Sequence, residues 1–196
     1  MLRHLARFVR RIPHRPLRIL DVATGSADLP VEMARWARAR GISLRILALD
    51  IHPDVLAVAR RLVHNVPEVI LIRADARALP FPDRSVDVAF CGLALHHFPW
   101  EGAIQVLREV DRVAAGYLVH DVLRTWTAYL GVLLDTRILG RSPLSRHDGP
   151  LSVLRAYTLP ELEALVRAAG LQDAEVRRHR FQRGLIVRWP ETQNGR

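Results

Sequence analysis

Residues 17–28 constrain the fold more than any other stretch, because their pattern is typical of a strand, a tight turn and the start of a helix. The apolar run 17–22 contains one acid, Asp21, and five small residues follow at 23–27. A turn of small residues lets a ligand approach the backbone, and the helix behind it presents unpaired N–H groups and a positive dipole end. The stretch therefore predicts a ligand site at the end of a parallel strand.

The alternation of strand and helix continues along the chain. Strands are predicted at 17–22, 44–49, 69–73, 86–91 and 114–120, and helices at 28–40, 53–63 and 100–113. Such alternation predicts an α/β fold, with a parallel sheet covered by helices on both faces. Two closing strands are predicted near 173–179 and 181–189.

Four further segments complete the predicted organisation. Residues 1–12 have the pattern of an amphipathic helix packed on the domain edge, with a lid or a membrane-surface contact as the alternative. Residues 122–140 are apolar with near-helical spacing, and residues 141–157 look like a loop. Thr158, with Glu161 three residues later, predicts the N-terminus of a helix that ends at Gly170.

Composition limits the classes of protein that this chain can represent. Its 196 residues suffice for one domain, and the single cysteine, Cys91, excludes an internal disulfide and a cysteine-cluster metal site. We expect no metal site from the histidines either. No apolar run is long enough to cross a membrane and no secretory signal is present, so we expect a cytoplasmic protein. A monomer and a homodimer both remain open.

The net charge of +9 is carried entirely by arginine, since the chain contains no lysine. Arginine suits phosphate and nucleic-acid binding. The arginines are spread along the whole chain, however, and charge alone does not predict a nucleic-acid partner. An acidic lipid surface or an anionic substrate fits the charge equally well.

Polar and small residues stand where four predicted strands end. They are Asp21 to Gly25, Asp50, Asp75, and Cys91 with Gly92. In an open parallel sheet, ligands bind at these carboxyl ends. A carboxylate at Asp50 can accept hydrogen bonds from two ribose hydroxyls, and one at Asp75 can meet an adenine amine. The set predicts a nucleoside-containing ligand.

Short stretches across residues 17–120 also resemble the motifs of class I S-adenosylmethionine-dependent methyltransferases. They are Ile-Leu-Asp-Val-Ala-Thr-Gly-Ser-Ala-Asp at 19–28, Ala-Leu-Asp-Ile at 48–51, Arg-Ala-Asp-Ala at 73–76, Leu-Pro-Phe-Pro-Asp at 79–83, Ser-Val-Asp-Val-Ala-Phe at 85–90 and Leu-His-His-Phe at 95–98. The stretches at 79–83 and 95–98 resemble the type 11 subgroup, which methylates quinones and other small aromatic lipids. Residues 146–152 resemble methyltransferases that accompany type III polyketide synthases. The chain departs from the family at Ala23 and Ala27, where the glycine-rich motif has its first and third glycines.

The resemblance implies a Rossmann-like three-layer sandwich, with a seven-stranded, mostly parallel sheet and an antiparallel last strand. It implies one domain: an N-terminal helix at 1–16, a cofactor-binding core at 17–120, a substrate-covering segment at 121–157, and a closing helix and strands at 158–189. The implied cofactor is S-adenosyl-L-methionine. The residues that would bind it are Asp21, Ala23, Thr24, Gly25, Asp50, Ile51, Asp75, Ala76, Cys91 and Gly92.

Methyl transfer to a hydroxyl or an acidic carbon requires a group that removes a proton, and histidine suits this task near neutral pH. We predict His147, His120 or His97 as this base, with His147 first because it lies in the predicted covering loop. The apolar segment 126–139 and the nearby arginines favour a small phenolic, quinone-like or polyketide-type acceptor with a lipid-like part. An RNA or other nucleic-acid methyltransferase, a nucleotide-dependent reductase and a non-catalytic cofactor-binding protein are the alternatives.

Overall fold

The structure is a computed structural model that describes residues 1–13, 15–138, 143–179 and 182–190, with the backbone alone at 138 and 143–148. Helices and strands alternate as far as the third strand, and the third and fourth strands follow one another without an α-helix between them. The helices are α1 (Leu2–Arg11), α2 (Asp28–Arg38), α3 (Pro53–Val63), α4 (Trp100–Val113), α5 (Trp126–Ile138), α6 (Pro143–Arg155) and α7 (Leu159–Ala169). The strands are β1 (Leu17–Val22), β2 (Leu44–Asp50), β3 (Val69–Arg73), β4 (Val86–Gly92), β5 (Ala114–Val122), β6 (Glu175–His179) and β7 (Arg183–Arg188). A short 3₁₀ helix, Leu95–His97, follows β4.

Within the described residues, seven strands form one sheet in the order β3-β2-β1-β4-β5-β7-β6. The first five in chain order run parallel, and β7 is antiparallel to both of its neighbours, β5 and β6. The predicted seven-stranded Rossmann-like sheet with an antiparallel last strand is confirmed. The strand order reverses between β1 and β4, and such a switch point opens a crevice beyond the carboxyl ends of the strands.

Each face of the sheet is covered by its own apolar cluster. On one face, α4 and α7 bury residues such as Leu107 and Leu165 against the sheet. On the other face, α1 to α3 bury residues such as Phe8 and Met33. The prediction that the N-terminal helix packs on the domain edge is confirmed, because Leu5 and Phe8 are fully buried. No helix in the described ranges has both the length and the apolar character needed to span a membrane.

The prediction of a loop at 141–157 is wrong for residues 143–155, which form α6. The prediction relied on the proline, glycine and serine content of the segment, and Pro150 does lie inside the helix. Packing overrides this local preference. A Cβ atom at Gly149 would lie 2.9 Å from Thr136 Cγ2 and 3.0 Å from Val132 Cγ1, so the absence of a side chain lets α6 approach α5 closely.

Helix α7 begins with the predicted capping box. The Thr158 side chain accepts a hydrogen bond from the Glu161 N–H at 3.4 Å, and the Thr158 N–H donates to the Glu161 carboxylate at 2.7 Å. The helix ends at Gly170, whose φ of 78° lies in the left-handed region that favours glycine. Both predicted ends of the helix are confirmed.

Replacing Thr158 by alanine removes one half of this capping box. We expect Thr158→Ala to lower the free energy of unfolding by about 1 kcal/mol, because one N–H of the first helical turn loses its acceptor. Thr158→Ser is the matched control, since it retains the hydroxyl oxygen and should lie within about 0.5 kcal/mol of the wild type. Urea denaturation measures both changes, and equal losses in the two variants would contradict the capping role.

Candidate active site

The loop between β1 and α2 has an unusual backbone for its sequence. Ala23, Gly25 and Ala27 all have positive φ, at 55°, 60° and 65°. The Thr24 N–H donates to the Leu49 carbonyl at 2.8 Å, which attaches the loop to β2. An alanine in this region is strained by about 1 kcal/mol relative to glycine. The two alanines therefore adopt a glycine-like conformation despite their methyl groups.

Gly25 connects this loop to the end of β2 through a side chain. Its N–H donates to Asp50 Oδ2 at 3.0 Å, and the other oxygen, Oδ1, accepts the His52 N–H at 3.0 Å. Nothing lies within 4 Å of the place where a Cβ atom of Gly25 would be. The Asp50 carboxylate is thus held in a fixed orientation beside open space.

Asp21 lies beneath the loop and holds its shape. The side chain is buried, and Oδ2 accepts a hydrogen bond from the Thr24 hydroxyl at 2.6 Å. Burial raises the pKa of Asp21 to about 7. A carboxyl group with this pKa changes its charge near neutral pH in response to a nearby cation.

The loop and the strand ends enclose a cavity of about 760 Å³, which we call the first cavity. Most of the predicted cofactor-binding residues line it: Ala23, Thr24, Gly25, Asp50, Ile51, Asp75, Ala76 and Gly92. Asp21 and Cys91 are buried and do not line it. Burial raises the pKa of the Cys91 thiol far above its usual range, so this side chain is a poor nucleophile.

The carboxylate of Asp75 is already hydrogen-bonded to a neighbouring side chain. Arg77 Nη2 donates to Asp75 Oδ2 at 2.7 Å, and this hydrogen bond lowers the pKa of the carboxyl group. Arg77 also lines the first cavity and is not among the residues predicted from the sequence to bind the cofactor. A base amine that approaches Asp75 would meet an ionised carboxylate already bound to a guanidinium group.

A second cavity, of about 930 Å³, lies against the first. Helices α5 and α6 cover it through residues such as Ala128, Val132 and Val153, and its other wall comes from the region after β4 and the start of β7. Leu93 and His97 line both cavities. The two spaces therefore meet at the end of β4.

A buried histidine–carboxylate pair stands at the wall of the second cavity. The Nδ1 atom of His96 lies 2.8 Å from Asp121 Oδ1, and the His96 backbone N–H donates to Asp121 Oδ2, also at 2.8 Å. An ionised carboxylate only accepts hydrogen bonds, so Nδ1 carries the proton of this contact, and in the neutral ring Nε2 is left as an acceptor. His96 lines the second cavity. The arrangement suits proton removal from a molecule bound there.

Neither member of this pair is among the predicted catalytic residues. The predicted His120 is the neighbour of Asp121, but strand alternation places the two side chains on opposite faces of the sheet. The predicted His97 is the neighbour of His96. The sequence does contain a signal for this pair, because an acid stands near the end of β5 and two histidines follow β4. The two strands are neighbours in the sheet, so these residues come close together.

The three predicted catalytic histidines occupy different positions. His97 lines both cavities, and burial lowers its pKa, which favours the neutral ring. His120 lines neither cavity and packs under Gly92, where a Cβ atom would lie 2.8 Å from its Nε2. Burial lowers the pKa of His120 to about 4. His147 belongs to α6, but its side chain lies outside the described residues.

The family model and the curated relatives that match this chain are all methyltransferases. The family model described as "Methyltransferase domain" matches residues 19–115. The chain is 34% identical over 112 residues to the ubiquinone/menaquinone biosynthesis C-methyltransferase UbiE of Rickettsia akari, a match that covers 54% of this chain and 43% of that protein. It is 36% identical over 94 residues to the demethylmenaquinone methyltransferase of Lysinibacillus sphaericus, covering 48% and 38%. The chain thus spans less than half the length of these curated relatives.

Solved structures resemble nearly the whole chain. An S-adenosylmethionine-dependent methyltransferase from Aquifex aeolicus superposes with a TM-score of 0.68 at 18% identity, covering 95% of this chain and 87% of that one. The CMeT domain of the citrinin polyketide synthase also gives a TM-score of 0.68, at 14% identity, covering 95% and 50%. At these identities the likeness concerns the fold.

The raised pKa of Asp21 predicts a dependence of stability on pH. The folded state, with a pKa of about 7, binds the proton more tightly than the unfolded chain, whose carboxyl has an ordinary pKa. Stability is therefore lost as pH rises from about 4 to about 7, by on the order of 4 kcal/mol for this group. Asp21→Asn should remove that loss.

Denaturation curves at pH 4.5 to 7.5 test this prediction. The exposed Asp54 provides the control, because Asp54→Asn should keep the wild-type slope. A slope in Asp21→Asn equal to that of the wild type would show that Asp21 titrates normally.

Proposed function

The chain belongs to the class I S-adenosylmethionine-dependent methyltransferases, and on this premise we propose that it methylates a small aromatic acceptor held in the second cavity. The acceptor atom is a hydroxyl oxygen or an acidic ring carbon. The observation that carries the proposal is the meeting of the two cavities at Leu93 and His97. A donor in the first cavity and an acceptor in the second would be adjacent there.

The first cavity fits the cofactor in size and in chemistry. Its volume of about 760 Å³ lies within the usual range of ligand sites, roughly 300–1,000 Å³. The Asp50 carboxylate can accept hydrogen bonds from ribose hydroxyls, and the adjacent Ile51, which is 44% exposed, offers an apolar surface for a base. The open space beside Gly25 admits close approach of a ligand to the loop backbone.

The Asp21 carboxyl group also suits a cofactor that carries a positive charge. Its carboxyl group has a pKa of about 7 in the absence of a cation, and an ammonium group near the loop would favour the ionised form. S-adenosylmethionine carries such an ammonium group and, when bound, supplies a methyl group on a positively charged sulfur. Residues 23–25 would hold the amino-acid end of the cofactor, and Asp50 and Asp75 would hold its nucleoside end.

The residues of the second cavity provide positioning and proton removal. Asp121 fixes the His96 ring and leaves Nε2 able to accept a proton from the acceptor. The ring centroids of His96 and His97 are 4.1 Å apart, so His97 is held beside the base at the junction of the cavities. Helices α5 and α6 form one wall of the cavity. A bound acceptor would displace water from this wall, which would strengthen these polar contacts.

The lining of the second cavity supports an acceptor with apolar and polar parts. Ala128, Val132 and Val153 provide apolar contact, whereas Gln182 and Arg183 are polar. The outer face of α5 also carries exposed apolar side chains: Trp126 at 80%, Leu130 at 51% and Leu134 at 57%. A quinone-like or polyketide-type molecule with a lipid tail combines the two properties, and two curated relatives are named as quinone methyltransferases.

Calorimetric titration with S-adenosylmethionine and with its demethylated product tests the cofactor site. We expect wild-type binding of both compounds, and an affinity at least about tenfold weaker in Asp50→Asn, because one charged acceptor of the ribose hydroxyls is lost. Asp54→Asn, four residues away and exposed, should bind as the wild type does. Absence of binding by the wild-type protein would overturn the proposed function.

Turnover of His96→Gln tests the base. In a screen of phenols, hydroquinones and alkylpyrones, release of demethylated cofactor should fall by about a hundredfold or more, while cofactor affinity stays unchanged. His64→Gln, at the exposed end of α3, should retain full turnover. His97→Gln and His147→Ala complete the set: a larger loss in either one than in His96→Gln would assign the base to that residue instead.

A further inference from the structure

A third space lies beside the two cavities and takes part in none of the chemistry described above. It has a volume of about 230 Å³ and lies at the carboxyl end of β5, under the N-terminus of α1. We call it the basic pocket, because four of its lining residues are His4, His120, His179 and Arg183. No aspartate or glutamate of the described chain lines it.

Arg183 is the charged group shared by the basic pocket and the second cavity. Its side chain is half-buried, and among the described residues no carboxylate lies within ion-pair distance of it. The half-buried Arg112, by comparison, is bound to Glu109 and Asp83, each at 2.7 Å. An arginine without such a partner at a cavity wall is available for an anionic ligand.

His120 is the second residue of the pocket whose side chain lacks a partner. Its Nδ1 atom is buried and has no hydrogen-bond partner among the described residues. A buried polar atom of this kind is uncommon and calls for a partner. Burial lowers the pKa of His120 to about 4, so near neutral pH the ring is uncharged and can donate one N–H to a ligand.

His4 and His179 complete the pocket from the other side. Their ring centroids are 6.1 Å apart in an edge-on arrangement, and His179 lies directly opposite Arg183 in the β6–β7 ladder. The described residues contain no group of three or more histidines, cysteines or acids arranged to hold a metal ion. Three histidine rings beside the Arg183 guanidinium group instead suit the binding of an oxyanion, because its oxygens can accept several N–H hydrogen bonds at once.

We propose that the basic pocket is an anion subsite of the acceptor cavity, in which Arg183 and His120 bind a carboxylate or phosphate group of the acceptor. This inference rests on the proposed function for the identity of the ligand, but the subsite itself is defined by its own residues. It narrows the acceptor to an aromatic molecule that carries an anionic substituent. It also gives His120 a binding role in place of proton removal.

NMR titration of the histidine Cε1–H signals with inorganic phosphate, at constant ionic strength, tests the subsite directly. Phosphate should shift the signals of His120 and His179 in a saturable manner, and Arg183→Gln should weaken this binding by about tenfold or more. Arg10→Gln is the control, since it removes the same charge from an exposed position that lines none of the three spaces. No shift of either signal, or equal affinity in wild type and Arg183→Gln, would overturn the proposal.

Phenyl phosphate distinguishes an acceptor group from a free anion. If the subsite serves the acceptor, phenyl phosphate should bind more tightly than inorganic phosphate and should also shift the signal of His97, which lines the second cavity. If phenyl phosphate and inorganic phosphate bound with equal affinity and the His97 signal did not shift, the pocket would bind free anions only. That result would contradict the proposal. Cofactor calorimetry on the same Arg183→Gln sample tests the methyltransferase site independently, because Arg183 does not line the first cavity.

Discussion

The hydrogen bond from the Gly25 N–H to Asp50 joins the two strand ends on which the rest of the site depends. It holds the loop after β1 against the end of β2, at the side of the sheet where the strand order reverses. The loop can take this shape only if residues 23, 25 and 27 accept left-handed backbone angles, which two alanines here adopt at some cost in conformational energy. The adjoining contacts of Asp21 with Thr24, and of Thr24 with Leu49, hold the same loop from below.

Strand alternation directs the last side chains of β5 to opposite faces of the sheet. Asp121 points to the face where His96 lies, and the pair is largely buried at the wall of the second cavity. His120 points to the opposite face and lies between Gly92 and the basic pocket. The roles proposed for these two consecutive residues, in proton removal and in ligand binding, are separated because a strand directs their side chains to opposite sides of one sheet.

The proposed acceptor region is built differently from the proposed cofactor site. The cofactor site uses loops between parallel strands, where small residues and acids recur at fixed places. The acceptor region instead combines α5, α6, the 3₁₀ helix after β4 and the start of β7, which are distant in sequence. Its apolar side chains, the His96–Asp121 pair and Arg183 have no common local pattern, which is why an amphiphilic, anionic acceptor could be inferred only after these elements were brought together.

The sequence by itself determined the sheet, its flanking helices, the capping box of α7 and the cluster of residues 23–25, 50, 51, 75, 76 and 92 around one cavity. These features follow from local periodicity and from the rule that parallel strand ends share one edge, so neighbours in the pattern become neighbours in space. Tertiary structure decided the rest. Packing of α6 on α5 through Gly149 turned a loop-like segment into a helix, and the β4–β5 pairing brought His96 to Asp121. Both outcomes depend on contacts between residues far apart in the chain, which local sequence patterns do not encode.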